Sequence, residues 1–495
     1  MRATLVIVAL LATLAVPAQA ASSAPIGFDG ARHLLNRTSF AGNAADIETF
    51  AKLTREQAAD RLLGWTSQPM LTRAPEWVDD YQSPRRLRNA TEAERQAFQR
   101  EQVQRGLELR GWWLTEMLVT PSPLGEKMVL FWHNHFVSGQ QKVRSAVLMY
   151  RQNQLLRRHA LGSYADLLHA AAKDPAMLIY LDGANSRKGQ PNENFAREVM
   201  ELFTLGEGRY SEQDIKEAAR AFTGWSIDLD TGAFLFRPLA HDDGVKTVFG
   251  RSGNFDGDAV LDLILARPET AEFIVAKLWR EFVSPNPNPQ EVARIARQFR
   301  DNRYDIKVAL RSLLVSDAFY AQENRAVLVK SPVDLVVGTL RQFRFETGDV
   351  TPFALATRQL GQDLFGPPNV KGWPGGEAWI NSSSLLARKQ FLERLFRAQE
   401  MPQPAMAVAM AGASSAPKEE PKGGAAALAG MRMRYVQALA DIRFDGDRWL
   451  APYQAEPGRL PQVVLAQTPA SPPPSGMQGI DLLRALVLDP VYQLK

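Results

Sequence analysis

The chain has 495 residues, of which 45% are hydrophobic and 23% are charged, a balance typical of a globular protein rather than a disordered one. Its 58 basic and 54 acidic residues give a net charge of +4, and the two signs are mixed along the predicted helices. Mixed charge of this kind indicates solvated helix faces and argues against a nucleic-acid partner. The absence of cysteine excludes disulfides, thiolate metal sites and haem attachment through cysteine.

Residues 1–20 have the three parts of a bacterial export signal. Arg2 supplies the positive charge, an apolar run covers 5–16, and Ala18 and Ala20 form a small-residue cleavage site. The apolar run is too short to span a bilayer comfortably, and no later stretch approaches that length. The sequence therefore predicts removal of this signal peptide after Ala20 and a periplasmic or secreted protein with no transmembrane segment.

Apolar periodicity predicts a mainly α fold, a large multi-helix globular body with one small β-hairpin. The predicted helices cover 41–110 with a proline-containing break at 67–90, then 124–136, 152–172, a short helix from Asp174 and Pro175, 192–205, 212–222, 259–265, 275–282, 291–300, 306–319, 333–343, 382–397 and 480–488. Ser211 and Asp214 predict a capping box at the start of the helix over 212–222.

The hairpin is predicted from alternation. Trp225 and Ile227 alternate with polar residues, as do Phe234 and Phe236, on either side of an Asp-Thr-Gly turn. It is the one clear strand signal in the sequence.

The domain organisation follows from composition. We predict a helical main body over 21–399, a flexible low-complexity linker over 400–430, and a C-terminal segment over 431–495 whose last helix packs on the main body. The linker consists mostly of Ala, Met, Pro, Ser and Gly, which cannot bury enough apolar surface to become ordered.

Several motifs in the main body resemble the bacterial family called domain of unknown function 1800. The matching segments are His33-Leu-Leu-Asn-Arg, Phe131-Trp-His-Asn-His-Phe136, Asp174-Pro-Ala-Met-Leu, Pro191-Asn-Glu-Asn-Phe-Ala-Arg-Glu-Val-Met-Glu-Leu-Phe203, Ala221-Phe-Thr-Gly-Trp225, His241-Asp-Asp-Gly-Val-Lys246, Lys330-Ser-Pro332 and Pro367-Pro-Asn-Val-Lys-Gly-Trp-Pro374. The resemblance implies a largely helical, commonly exported protein with no assigned activity. It also implies a gene neighbour that is similar to sulfatases and alkaline phosphatases.

Glu198 is the most informative polar residue of the helix predicted over 192–205. At about 100° per residue it lies inside the apolar sector formed by Phe195, Val199 and Leu202, with Glu201 at the edge of that sector. A carboxylate in that position loses hydration and needs a partner, or its pKa rises. It is either a functional acid–base group or half of a structural ion pair with an arginine.

His133 and His135 pose a similar choice. On a helix the two side chains point in nearly opposite directions, so they chelate one metal ion only if the segment is extended. The alternative is a core His135 that is hydrogen-bonded to a carboxylate, with His133 exposed. We expect Glu198 and His135 to lie within reach of each other, directly or through one ion or water.

Two functions remain open from the sequence. The first is a hydrolase of cell-envelope material, with His135, Glu198, Glu201 and His241 as catalytic residues. A divalent metal could assist at His133, His135 and Asp242, although no H-E-x-x-H, phosphate-binding glycine loop or G-x-S-x-G motif is present. The second is a non-catalytic helical scaffold or a partner protein for the sulfatase-like neighbour.

Overall fold

The computed structural model describes residues 24–65, 69–397 and 441–495. These residues form a mainly α protein with two small two-stranded antiparallel sheets, which confirms the predicted fold class. The export signal at 1–20 and the linker at 400–430 lie outside the described residues and stay predictions.

Most helices follow one another through short connections. The helices up to the first sheet are α1 Gly27–Thr38, α2 Ala44–Ala51, α3 Arg55–Trp65, α4 Glu92–Val119, α5 Pro123–His135, α6 Gln140–Val143, α7 Ala146–His159, α8 Tyr164–Ala172, α9 Pro175–Tyr180, α10 Glu193–Glu198 and α11 Glu212–Ala221. Those after the sheets are α12 Gly257–Leu265, α13 Pro268–Phe282, α14 Pro289–Asp301, α15 Ile306–Leu314, α16 Asp317–Tyr320, α17 Pro332–Gln342, α18 Thr351–Gln359, α19 Ser382–Arg397, α20 Gly446–Leu450, α21 Arg459–Val464 and α22 Gly479–Leu488. A π-helical segment, Val199–Thr204, continues α10.

The predicted helix starts are largely confirmed because local capping decides them. Ser211 and Asp214 form the predicted capping box of α11, and the Asp174 side chain accepts from the Met177 amide to begin α9. Helix α5 begins at Pro123, and Ser122 before it makes no side-chain capping hydrogen bond.

Several features differ from the prediction. The run over 152–172 is two helices, α7 and α8, because the chain turns at Gly162 and Ser163 caps a new helix by accepting from the Asp166 amide. Helices α1, α6, α18, α20 and α21 were not predicted. A second hairpin, Lys246–Val248 with Arg251–Gly253, was missed because its strands are short and mostly polar.

The predicted hairpin is present, with Trp225 opposite Phe236 and Ile227 opposite Phe234. Trp225 and Ile227 are buried, whereas Phe236 is exposed. The first strand therefore faces the core and the second lies at the surface.

The core is continuous from α1 to α22. Its largest fully buried side chains include Trp113, Trp132 and Trp279. Helix α22 packs against α19, and Val329 and Leu494 form an isolated β-bridge that ties the C-terminal segment to the main body. Within the described ranges, every helix falls short of the combined length and hydropathy needed to cross a bilayer.

Candidate functional site

His135 caps the carboxyl end of the π-helical segment. Its Nε2 lies 3.0 Å from the Phe203 carbonyl oxygen, which also accepts from the Tyr164 hydroxyl. The Lys277 ammonium donates to His135 Nδ1 at 3.0 Å and to the Leu202 carbonyl at 3.3 Å. Because an ammonium group only donates, His135 Nδ1 accepts the hydrogen bond from Lys277. The ring hydrogen is therefore on Nε2, which donates to the Phe203 carbonyl oxygen. These side chains satisfy carbonyls that a helix end leaves without an internal partner.

The surroundings of His135 keep its ring neutral. Burial, reinforced by the adjacent Lys277, holds the pKa of His135 well below its ordinary value. Burial also lowers the pKa of Lys277, to about 8. Both groups lie beside the negative end of the helix dipole, a position that stabilises donors and cations.

The direct pair predicted between His135 and Glu198 is wrong. Both ring nitrogens of His135 are occupied by Phe203 and Lys277, and the predicted carboxylate partner is replaced by a backbone carbonyl. The two helices do meet as predicted, but through Phe136 and Phe203, whose ring centroids are 5.2 Å apart.

The expectation that His133 is exposed is also wrong. His133 is 1% exposed, and its Nε2 accepts from the Phe365 amide at 3.1 Å. The loop over 365–376 covers this face of α5, and the Trp373 ring is tilted against the imidazole with the ring centroids 5.7 Å apart. Burial lowers the pKa of His133 to about 3, so its ring is a neutral acceptor. Trp373 is itself buried and therefore part of the core.

Glu198 and Glu201 lie where α10 changes into the π-helical segment. Such π-bulges occur frequently at functional sites. The Glu198 carboxylate is half-buried and has no hydrogen bond to any described residue. Burial and the neighbouring Glu201 raise the pKa of Glu198, and Lys371 and Arg197 offset part of that rise. Glu201 accepts a hydrogen bond of 2.5 Å from the Tyr210 hydroxyl.

The loop that carries Lys371 is fixed by Asn134. The Asn134 side chain accepts from the Trp373 amide at 2.7 Å and donates to the Trp373 carbonyl at 3.2 Å. Gly372 has a φ of 78°, and a Cβ on it would lie 2.3 Å from Asn134 Oδ1, so only glycine fits there. The segments 131–136, 191–203 and 367–374, which carry much of the family resemblance, are thus brought close to Glu198.

His241 and Asp242 lie in a different loop. The Lys188 amide donates to the Ala240 carbonyl at 2.7 Å, and Lys188 Nζ pairs with Asp243 Oδ1. The polar loop over 184–191 is therefore adjacent to the His241 loop. That same polar loop leads into α10, whose first turn is capped by Asn192.

The polar atoms of this second loop are largely paired. Arg220 forms a bidentate ion pair with Asp242, with Nε 2.8 Å from Oδ2 and NH2 3.2 Å from Oδ1. This pairing lowers the pKa of the Asp242 carboxyl group to about 2. His241 Nδ1 donates to the Thr223 carbonyl at 2.8 Å. Asp242 is thus held as the partner of an arginine.

The predicted catalytic residues therefore occupy three settings. Glu198 and Glu201 share one surface, His241 lies in the adjoining loop, and His135 is buried behind the π-helical segment. In the described parts of the chain, no group of three or more His, Asp or Glu residues is arranged to hold a metal ion. Metal binding at His133, His135 and Asp242 stays a prediction.

Four neighbours of the predicted residues were not found from the sequence: Tyr164, Tyr210, Lys277 and Lys371. Lys371 belongs to the Pro-Pro-Asn-Val-Lys-Gly motif, which was a usable signal. Lys277 lies 142 positions from His135, and no local spacing connects the two.

Fold and site together define a mainly helical protein with a half-buried pair of carboxylates on a π-bulge. The chain belongs to the family described as Protein of unknown function (DUF1800), whose match covers residues 33–489. No curated protein and no solved structure matches the chain.

Proposed function

We propose that this protein is an exported enzyme in which Glu198 transfers protons during hydrolysis of cell-envelope material. The observation that carries the proposal is the state of the Glu198 carboxyl group, which is half-buried, unpaired among the described residues and shifted upward in pKa. General acids need a raised pKa and access to substrate, and perturbed carboxyl groups concentrate at functional sites.

The neighbours of Glu198 support a division of roles. Protonated Glu198 would donate its proton to the leaving oxygen as the bond to that oxygen breaks. Glu201, held by Tyr210, would take a proton from the attacking water. Lys371, whose charge acts on Glu198, would attract a substrate with anionic groups. Two carboxyl groups in different environments are a recurrent arrangement for such chemistry.

The test uses Glu198→Gln with Glu193→Gln as its matched control, since Glu193 is an exposed carboxylate on the same helix. The purified proteins are incubated with isolated cell-wall polymer and outer polysaccharide, and released fragments are measured by mass spectrometry. We expect Glu198→Gln to lower product release by a factor of about 100 or more, because it cannot transfer a proton. The control should retain full activity, and both should keep the wild-type Tm.

The pH dependence gives a second check. A general acid acts only while protonated, so the rate should fall as pH rises through the raised pKa of Glu198. Full turnover in Glu198→Gln, or no fragment from any polymer, would overturn the assignment.

The second candidate, a partner protein, is favoured by exposed apolar side chains in and just after the first hairpin. Leu235, Phe236, Leu239 and Val245 are all exposed, and Leu239 is entirely so. They lie close together in sequence, within 235–245, and exposed apolar surface is typical of protein interaction sites. We propose the sulfatase-like gene neighbour as the occupant. It should co-elute with the wild-type protein and not with Leu239→Asp, while Leu71→Asp, at an exposed leucine elsewhere, should leave co-elution intact.

The proposed location rests on the export signal. Residues 1–20 combine Arg2, an apolar run and the Ala18/Ala20 cleavage pattern. N-terminal sequencing of material collected outside the cytoplasm should begin at Ala21, and a start at Met1 would contradict cleavage.

A further inference from the structure

A groove of about 620 Å³ lies between α4, α6 and α18, apart from the carboxylate surface. Its volume is within the range of small-molecule sites. One wall is apolar and includes Phe98, Val103, Leu107 and Leu355. Val103 is 62% exposed although it is a large apolar side chain on a helix. An apolar ligand could therefore bury exposed apolar surface on this wall.

The ionisable side chains of the groove are mostly basic. They are Arg95, Arg110, Arg144, Arg358 and the single carboxylate Asp363. Asp363 forms an ion pair with Arg110, whose Nε lies 2.6 Å from Asp363 Oδ1. The Nε atom of Arg358 is 3.9 Å from Asp363 Oδ2. One carboxylate cannot neutralise this set, so the groove carries an excess of positive charge.

Among the arginines of the groove, Arg144 has the fewest interactions with other residues. Its guanidinium has no hydrogen bond or ion pair with any described residue. Its backbone is left-handed, with φ 55° and ψ 25°, a conformation that costs free energy for a residue other than glycine. The strained turn places an unpaired cation at the groove.

The wall beside Arg144 is preformed. Gln140 accepts from Arg110 NH1 at 2.9 Å and donates to the Gln102 carbonyl at 3.0 Å. It lies directly over Gly106, where a Cβ would come within 2.1 Å of its amide nitrogen. Arg110 and Gln140 are thus locked together, which leaves Arg144 and Arg358 to meet a ligand.

We propose that this groove binds a small amphipathic anion, an alkyl chain with a carboxylate or phosphate head. The chain lies on Val103 and Leu107, and the head is held by Arg144 and Arg358. Burial of the chain supplies apolar stabilisation, and guanidinium groups form charge-assisted hydrogen bonds with such oxyanions. The proposal is independent of any activity at Glu198.

The experiment is calorimetric titration of the full chain with decanoate and decyl phosphate, kept below their micelle concentrations. Decanol and inorganic phosphate are titrated separately to test the tail and the head alone. We expect saturable binding of one or both anionic amphiphiles, and affinity at least about tenfold weaker for decanol and for phosphate. A comparison of the affinities for decanoate and decyl phosphate shows whether the groove prefers a carboxylate or a phosphate head.

Two variants test the residues. Arg144→Gly removes the cation and suits the left-handed backbone, so the fold should be kept while affinity falls about tenfold or more. Arg303→Gly is the matched control, because Arg303 is also exposed and left-handed, with φ 56°, but does not line the groove. Val103→Asp places a negative charge in the exposed apolar wall and should also weaken binding.

Three outcomes would overturn the proposal. These are no saturable binding of either amphiphile, equal affinity for decanol or inorganic phosphate, and unchanged affinity in Arg144→Gly. Loss of affinity in Arg303→Gly to the same extent would also overturn it, since the effect would then not belong to the groove.

Discussion

Asp334 is buried between two lysines that come from distant parts of the chain. Lys127 Nζ lies 2.6 Å from its Oδ1, and Lys495 Nζ lies 2.7 Å from its Oδ2. Burial alone would raise the pKa of Asp334, but these two ammonium groups hold it well below its ordinary value. Nearby, Lys330 lies 3.8 Å from the centre of the Tyr492 ring, and burial lowers its pKa to about 7. The negative charge of Asp334 therefore offsets the cost of burying these lysine side chains.

Replacing Asp334 by Asn should lower the free energy of unfolding by about 3–5 kcal/mol, because it leaves the buried Lys127 ammonium without its carboxylate and Lys495 with Glu281 alone. Denaturant unfolding measures the change. Asp230→Asn is the control, since Asp230 pairs with Arg85 at the surface and its loss should cost less than about 1 kcal/mol. A loss below about 1 kcal/mol in Asp334→Asn would show that the cluster does not depend on this carboxylate.

The same substitution has a pH signature. A carboxyl group with a depressed pKa stabilises the fold fully above its unfolded pKa of about 3.9, and that contribution is lost as pH falls below this value. The difference in unfolding free energy between wild type and Asp334→Asn should therefore shrink below about pH 4. A difference that grew on acidification would contradict the assigned pKa direction.

At the scale of the element, local signals predicted much of the structure. The capping box at Ser211, the Asp174-Pro175 start and the hairpin at Trp225 were all correct because each depends on a few adjacent residues. Helix α18 was missed, although Pro352 lies in its first turn.

The candidate site was predictable only in part. Periodicity identified Glu198 as unusual, and the structure confirms that its carboxyl group is half-buried. Periodicity also indicated that His135 needed a partner, but it could not show that the end of the π-helical segment presents the Leu202 and Phe203 carbonyls to Lys277 and His135. The burial of His133 depends on a loop more than two hundred residues later in the chain. Partners of that kind follow from tertiary packing, which no local pattern encodes.

At the scale of the whole molecule, the C-terminal segment over 441–495 is held by direct contacts with residues before 398. Helix α22 packs on α19, and the Lys330 amide donates to the Gln493 carbonyl at 2.8 Å. Lys495 adds its ion pair with Asp334, and Arg388 NH1 donates to Gln493 Oε1 at 3.1 Å. A chain cut between 401 and 430 would lose the covalent connection and keep all of these contacts.

We predict that limited proteolysis cuts first within 401–430, because the composition of that segment favours access by proteases. Denaturing electrophoresis should then show two fragments, whereas gel filtration should show one species of unchanged size. The two fragments stay together because buried apolar side chains such as Leu483 and Leu486 of α22 would have to be exposed for them to separate. Asp334→Asn should promote separation of the cut protein, since it removes the closer of the two carboxylate partners of Lys495 and leaves only Glu281 at 3.2 Å. First cuts inside α1–α19 would contradict the linker assignment, and fragments that separate in the cut wild type would show that the C-terminal contacts are too weak to replace the connection.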